Sequence, residues 1–159
     1  MSCAFGFDVG SKITGVAIGS TFTASARALT ILAVHDDTPD WNRLDVLRRE
    51  WQPDTLVVGL PLTLDGAEQP ASRRARRFAA QLRERYGVAV VLVDERHSSQ
   101  EAAQRFATAR SLGLKRRRDA ADIDAEAAAI VLERWLGGAE AVSEPALDPQ
   151  PSSSSDRLP

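Results

Sequence analysis

The order of the apolar segments limits what this chain can fold into. Apolar, partly β-branched runs at residues 4–9 and 14–19 are separated by the turn-forming sequence GSK, which predicts a hairpin, and residues 28–34 predict a third strand. After these, segments with helical spacing alternate with short apolar runs. Three antiparallel strands followed by helix–strand units imply an α/β fold, with a mixed sheet and helices on both of its faces.

Two continuous apolar runs, at residues 55–59 and 88–93, are typical of buried parallel strands and bring the predicted sheet to five strands. A helix is expected before the first of them, capped by Thr38, with Pro39 in its first helical position and its end near Trp51. Further helices are predicted over residues 71–86, 99–109 and 121–136.

The length of 159 residues indicates one domain, expected over residues 1–138. Residues 139–159 contain four prolines and a run of four serines, and this composition predicts a disordered tail. Cys3 is the only cysteine, which excludes an internal disulfide and a multi-cysteine metal site and fits a reducing cytosol. No apolar run reaches the ~20 residues of a membrane span. A cytoplasmic protein without a membrane partner is expected.

The net charge of −2 conceals a basic middle segment. Residues 73–118 carry 13 Lys and Arg against 4 Asp and Glu, and both flanks are acidic. This distribution indicates a surface that binds a polyanion, although arginines coating two solvated helices would produce the same count. The candidate nucleic-acid-binding residues are Lys12, Arg73, Arg74, Arg77, Arg96, Lys115, Arg116 and Arg117.

A carboxylate stands at the end of the first predicted strand, where Asp8 follows the apolar sequence AFGF. Burying a charge there is costly unless it binds a cation or is fully hydrogen-bonded, although aspartate is also common in turns. Asp94 and Glu95 follow the fifth strand, and the ends of parallel strands meet at one edge of a sheet. Because strand side chains alternate, only one of these two should face Asp8.

A third carboxylate is expected from the start of the last helix. The candidates are Asp119, Asp122, Asp124 and Glu126, and capping of the helix explains acids there equally well. The alanine run after Asp124 would let the helix lie close to the sheet. His35 and His97 lack a serine or cysteine partner in a nucleophile context and are poor candidates for catalysis.

Four segments together resemble the YqgF (RuvX) family of bacterial proteins: FDVGSKITGVAIG, WQPDTLVVGLPLTLDGAEQPASRRARRFAAQL, VVLVDERHSS and DIDAEAAAIVLERWL. The resemblance covers residues 4–136 and implies an RNase H-like fold related to Holliday junction resolvases. It matches Asp8, Glu95 and Asp124 to the family's acidic positions, which in RNase H-like nucleases hold Mg²⁺ or Mn²⁺. The residues after the fourth strand that also match are Gly59, Leu60, Pro61 and Gly66.

The resemblance implies a metal-dependent nuclease that processes the 5′ end of precursor 16S rRNA, with four-way DNA as the alternative substrate. The expected partner is structured RNA, in precursor rRNA or a ribosomal particle, or branched DNA, and the chain is expected to be a monomer or homodimer. Two other interpretations stay open. One is a non-catalytic RNA- or ribosome-binding module. The other is a phosphotransferase, because DVGSK also resembles the phosphate loop of the actin and sugar-kinase superfamily, but that superfamily needs two such domains.

Overall fold

The computed structural model describes residues 3–95, 103–104, 107–108, 120–139 and 141–142. Within these residues, six strands form one sheet in the order β4-β3-β2-β1-β5-β6. The strands are β1 (Cys3–Val9), β2 (Ile13–Ser20), β3 (Ser25–His35), β4 (Thr38–Pro39), β5 (Thr55–Leu60) and β6 (Ala89–Asp94). The helices with defined bounds are α1 (Trp41–Trp51), α2 (Pro70–Tyr86) and α3 (Ala120–Leu136). None of the described helices is long and apolar enough to cross a membrane.

The predicted mixed sheet is confirmed. Strands β1 to β4 pair antiparallel, and β5 and β6 extend the sheet in parallel from β1. The predicted number of five strands is wrong, because Thr38 and Pro39 form the short strand β4 against the end of β3. Proline is tolerated there because β4 lies at the edge of the sheet. Asp40 therefore caps α1 in place of Thr38, and its side chain accepts a hydrogen bond from the Arg43 backbone N–H at 3.2 Å.

The two faces of the sheet are covered by different kinds of side chain. One face packs aromatic and branched residues against α1 and α2: Phe5, Phe7, Val9, Val16, Leu44, Leu47, Phe78 and Leu82. The other face packs Ala4 and Ala17 against Ala128 and Ala129 of α3. A Cβ on Gly6 would lie 2.8 Å from the Ala128 carbonyl oxygen, so small residues on both sides let α3 lie directly on the sheet.

The remaining sequence predictions fall partly outside the described residues. Helix α2 matches its prediction and ends at Gly87, which has a positive φ of 65°. In the predicted helix over residues 99–109, the four described residues, 103–104 and 107–108, are helical. In the predicted tail, the Val142 N–H donates a hydrogen bond to the Leu92 carbonyl at the edge of β6, at 2.6 Å. The domain boundary at residue 138 stays a prediction.

Candidate active site

Asp8 lies one residue before the end of β1, on the α3 side of the sheet. Its neighbours Phe7 and Val9 belong to the core that packs against α1 and α2, and alternation along the strand directs Asp8 to the opposite face. Immediately after β1 the chain turns sharply, since a Cβ on Gly10 would lie 2.4 Å from the Ile13 carbonyl oxygen. The tight turn brings β2 back beside β1, with Gly15 in register with Asp8.

Glu95 follows β6 and reaches the same corner. Its backbone N–H donates to the Leu60 carbonyl at 3.1 Å, which continues the pairing of β5 and β6 by one residue. Its side chain is buried, with the residue only 5% exposed. A Cβ on Gly59 would lie 2.8 Å from the Glu95 Cδ, so the absence of a side chain on β5 makes room for this carboxyl group. Of the two acids after the fifth predicted strand, Glu95 is therefore the one that faces Asp8.

Asp124 is brought to the corner by the close packing of α3. A Cβ on Gly15 would lie 2.0 Å from the Asp124 carbonyl oxygen, which is far too close. Any residue other than glycine at this position would therefore push the helix away from the sheet. Because Gly15 is the partner of Asp8 in the β1–β2 pairing, the helix backbone at Asp124 passes directly beside the Asp8 position. The predicted approach of the alanine-rich helix to the sheet is confirmed.

The three carboxyl groups influence one another. Burial raises the pKa of Asp8, and a hydrogen bond with the Glu95 side chain acts in the opposite direction. Burial, followed by the negative charge of Asp8, raises the pKa of Asp124 to about 6. The arrangement concentrates negative charge where water is scarce, which is the electrostatic environment that a cation would relieve.

The structure places the three predicted residues together but not as a finished ligand set. Asp8 and Glu95 are in direct contact, whereas Asp124 acts on Asp8 through its charge. Within the described part of the chain, no three His, Cys, Asp or Glu side chains are arranged so that they could hold one metal ion. Two adjacent carboxylates with a third close by are nevertheless the oxygen donors that Mg²⁺ and Mn²⁺ prefer. The chemistry of the donors fits the ion, and the metal-ligand assignment stays a prediction.

The predicted basic residues divide into three groups. Lys12 lies exposed in the β1–β2 turn, and Arg73 and Arg77 are exposed on α2. Arg74, also on α2, forms an ion pair with Asp37 at 3.5 Å. The others lie outside the described residues: Arg96, Lys115, Arg116 and Arg117.

Several other arginines of α2 are held by ion pairs or hydrogen bonds within the protein. Arg76 pairs with Glu68 at 2.9 Å, Arg83 donates to the Val90 carbonyl at 3.1 Å, and Arg85 forms two hydrogen bonds with Asp45 at 2.9 and 2.6 Å. The charge count of this segment therefore overstates the number of arginines available to a polyanion, as the alternative explanation of a coated helix anticipated.

Sequence reasoning missed Thr14. This residue of β2 is 1% exposed, and its hydroxyl has no hydrogen-bond partner among the residues that the structure describes. It lines a small cleft together with Arg74 and Arg77. The available signal was a single hydroxyl inside an apolar strand, which is too common to single out without knowledge of what packs against it.

Comparison with known proteins identifies relatives over most of the chain. Residues 2–138 match the family described as RuvX: Holliday junction resolvase. A protein of Xanthomonas oryzae pv. oryzae (strain PXO99A), named "Putative pre-16S rRNA nuclease", is 60% identical over 131 residues, which are 82% of this chain and 84% of that protein. A protein of the same name from Xanthomonas campestris pv. campestris (strain 8004) is 58% identical over 135 residues, covering 85% and 87% of the two chains.

The fold also resembles a solved structure, that of T. thermophilus RuvC in complex with Holliday junction substrate. The TM-score is 0.52 and the sequence identity 18%, with 89% of this chain and 100% of that chain covered. At this identity the similarity establishes the fold, and it confirms the RNase H-like architecture expected from the sequence.

Proposed function

This chain belongs to the RuvX family, described as Holliday junction resolvases, and from that membership we propose that it is a divalent-metal-dependent nuclease that hydrolyses phosphodiester bonds. The observation that carries the proposal is the meeting of Asp8, Glu95 and Asp124, three acids from distant parts of the sequence, at one corner of the sheet. Without a bound ligand, burying these carboxyl groups would only destabilise the folded state, so a purely structural role does not explain them.

The proposed substrate is precursor 16S rRNA, because two relatives at 58–60% identity are named "Putative pre-16S rRNA nuclease". Cleavage at its 5′ end is what the family resemblance of the sequence implies. Processing of precursor rRNA would place the protein in the cytoplasm, with rRNA or a ribosomal particle as its partner. A four-way DNA junction is the second candidate, since the family description names that substrate. Exposed arginines on α2 suit either nucleic acid, because contacts to phosphates carry no sequence information.

In the proposed mechanism, Asp8, Glu95 and Asp124 would hold Mg²⁺ or Mn²⁺ through their carboxylate oxygens. The ion, when bound, would supply Lewis acidity for the hydrolysis. The protein's own contribution is placement. Gly15 and Gly59 leave the space in which Asp124 and Glu95 approach Asp8. Carboxyl groups bind a cation in their deprotonated form and burial raises the pKa of Asp8, so metal affinity should rise with pH.

The test is a cleavage assay on two matched substrates, a precursor rRNA fragment and a four-way DNA junction, with and without MgCl₂. Asp8→Asn, Glu95→Gln and Asp124→Asn should each lose magnesium-dependent cleavage while retaining a cooperative thermal transition. Asp36→Asn removes the same charge from an exposed turn and should cleave as the wild type does. Preserved cleavage in Asp8→Asn, by protein freed of contaminating nuclease, would refute the mechanism.

The same assay separates the proposal from a non-catalytic binding module. If the wild type cleaves neither substrate but binds RNA equally well in EDTA and in MgCl₂, the carboxylates have no catalytic role and the binding interpretation replaces this one.

A further inference from the structure

We propose that Arg134 of α3 is a positioning residue for Glu95. Its guanidinium group holds the peptide group that precedes Glu95, and this keeps the Glu95 carboxyl group directed at Asp8. The role of Glu95 as a metal ligand is that of the proposed function, on which this inference rests. The structural ground is separate, because it concerns how the outer edge of β6 is held.

Strand β6 is the last strand of the sheet, so alternate carbonyl groups along it point away from β5. Three of these outward carbonyl groups accept a hydrogen bond from another part of the chain. The donors are Arg83 Nη2 of α2 to Val90 at 3.1 Å, the Val142 N–H to Leu92 at 2.6 Å, and Arg134 Nη1 of α3 to Asp94 at 3.4 Å. The outer edge of β6 is therefore held at three successive points, and the last point is the residue before Glu95.

The peptide group between Asp94 and Glu95 is held on both of its sides. The carbonyl and the N–H of a trans peptide point in opposite directions. Here the carbonyl accepts from Arg134, and the N–H donates to the Leu60 carbonyl of β5 at 3.1 Å. Rotation of this peptide group would change φ of Glu95 and swing its Cα–Cβ bond. Because β6 ends at Asp94, the contact with Arg134 restrains a peptide group that regular pairing holds on one side only.

Helix α3 also borders the space that the Glu95 carboxyl group occupies. A Cβ on Gly59 would lie 2.8 Å from both Glu95 Cδ and Val131 Cγ2, so both side chains reach the same space above β5. Val131 and Arg134 are three residues apart, which places them on one side of the helix. Helix α3 therefore meets Glu95 at its side chain and at the peptide group before it. Since the same helix carries Asp124, its docking sets two of the three carboxyl groups relative to Asp8.

A positioning role and a purely electrostatic role of Arg134 predict opposite effects on metal binding. A positive charge near the carboxyl groups repels a cation through space, so its removal alone would strengthen Mg²⁺ binding. Loss of the contact with the Asp94 carbonyl would instead leave Glu95 less well placed and weaken Mg²⁺ binding. The sign of the change in affinity therefore distinguishes the two roles.

The experiment compares two variants of Arg134 with two controls at the same strand edge. Arg134→Gln removes the charge and shortens the side chain, whereas Arg134→Lys keeps the charge and a donor. Arg83→Gln is the matched control, because it removes an arginine that donates to the same edge at Val90. Val142→Pro removes the N–H that donates to Leu92. Both controls should lower the melting temperature, because each loses a hydrogen bond remote from Glu95.

The first measurement is amide hydrogen exchange by NMR, in EDTA and without substrate. In Arg134→Gln the Glu95 amide should exchange about three- to tenfold faster relative to the Val93 amide, which also faces β5, because one hydrogen bond no longer restrains the peptide group. Arg134→Lys, Arg83→Gln and Val142→Pro should leave this ratio close to that of the wild type. The ratio removes any change in global stability, because global unfolding exposes both amides equally.

The second measurement is Mg²⁺ affinity by calorimetry, followed by the kinetics of cleavage of the precursor rRNA fragment. Arg134→Gln should bind Mg²⁺ more weakly and lower kcat by about tenfold, the lower end of the effect of residues that orient a metal ligand. Its KM should stay near the wild-type value, because Arg134 is proposed to orient Glu95 and not to bind RNA. Arg134→Lys should recover most of kcat, and the two controls should cleave as the wild type does.

Tighter Mg²⁺ binding by Arg134→Gln, or an unchanged exchange ratio for Glu95, would overturn the inference. A rise in KM at unchanged kcat would also overturn it, because Arg134 would then contact the nucleic acid. Failure of the proposed function gives a different result. In that case the wild type would cleave neither substrate, while faster exchange at Glu95 in Arg134→Gln would still show that Arg134 holds this peptide group.

Discussion

Replacement of Asp8 by asparagine should stabilise the protein in the absence of divalent ions and remove its stabilisation by Mg²⁺. Asparagine has nearly the shape of aspartate and can still form a hydrogen bond with the Glu95 side chain. It carries no charge, so it avoids the burial cost that raises the pKa of Asp8. It also removes the charge that contributes to the raised pKa of Asp124.

The magnitude follows from Asp124, whose pKa moves from 3.8 to about 6. That difference corresponds to about 3 kcal/mol at neutral pH if the group were fully shielded from water. Asp124 is only half-buried, so screening by solvent lowers the figure to roughly 1–2 kcal/mol. The charge of Asp8 is the smaller of the two causes, so its removal should recover about 0.5 kcal/mol, with a further gain from the burial cost of Asp8 itself. The melting temperature should rise by at least 1–2 °C, at roughly 2–4 °C per kcal/mol for a chain of this size.

The pH dependence has a defined sign. An acid whose pKa is raised in the folded state binds more protons folded than unfolded, so its contribution to stability is fully present below the unfolded value of 3.8 and is lost as the pH rises through about 6. The stability difference between Asp8→Asn and wild type should therefore grow from about pH 4 to about pH 7. The assay is thermal denaturation followed by circular dichroism in EDTA across this range, repeated at neutral pH with millimolar MgCl₂.

In this assay, magnesium should raise the melting temperature of the wild type and of the Asp36→Asn control but not that of Asp8→Asn. A lower melting temperature for Asp8→Asn than for wild type in EDTA at neutral pH would contradict the electrostatic argument. Equal stabilisation of both proteins by magnesium would show that the ion binds elsewhere.

Two further predictions concern packing. Gly15→Ala should lower the free energy of unfolding by about 1–3 kcal/mol or more, because its Cβ would meet the Asp124 backbone at 2.0 Å. Gly59→Ala should stay folded and lose activity, because its Cβ would meet the Glu95 side chain at 2.8 Å. Melting curves and cleavage rates of the two variants give the comparison. Asp45→Ala should lower the melting temperature without changing cleavage, because Asp45 accepts hydrogen bonds from Arg85 and from the Tyr86 hydroxyl and belongs to no part of the candidate site. A loss of cleavage as large as the loss of stability would contradict this prediction.

The sequence predicted those features that depend on local pattern. Apolar runs located all the long strands within a few residues, and Gly87 ended α2 where expected. The assignment of Thr38 as a helix cap was wrong because the pairing of Thr38 and Pro39 with β3 depends on how the chain reverses at Asp36, which has a positive φ of 51°. A threonine followed by a proline can begin a helix or form an edge strand, and only the geometry of the preceding turn distinguishes the two structures.

The candidate site shows a similar division. Strand ends placed Asp8 near Asp94 and Glu95, but the family resemblance was needed to select Glu95 of these two and Asp124 among the acids before α3. The roles of Gly15 and Gly59 depend on which helix or side chain lies above each of them, and this is a long-range contact. The basic segment was the least predictable feature, because an arginine's availability depends on distant partners, as the pairing of Arg85 with Asp45 across 40 residues shows.

The alternation of side chains along β1 explains how carboxylates and arginines can serve one site without neutralising each other. Asp8 faces α3, whereas Val9 and the cleft with Arg74 and Arg77 face α2. Neither the raised pKa of Asp8 nor that of Asp124 includes a contribution from a described arginine. Had the arginines stood on the α3 side, they would have paired with the carboxylates and lowered these pKa values, as Arg85 lowers that of Asp45 to about 2. The alternation along β1 therefore keeps the carboxyl groups apart from the arginines of α2, so their pKa values stay raised and a cation, rather than an arginine, is the partner that would relieve their charge.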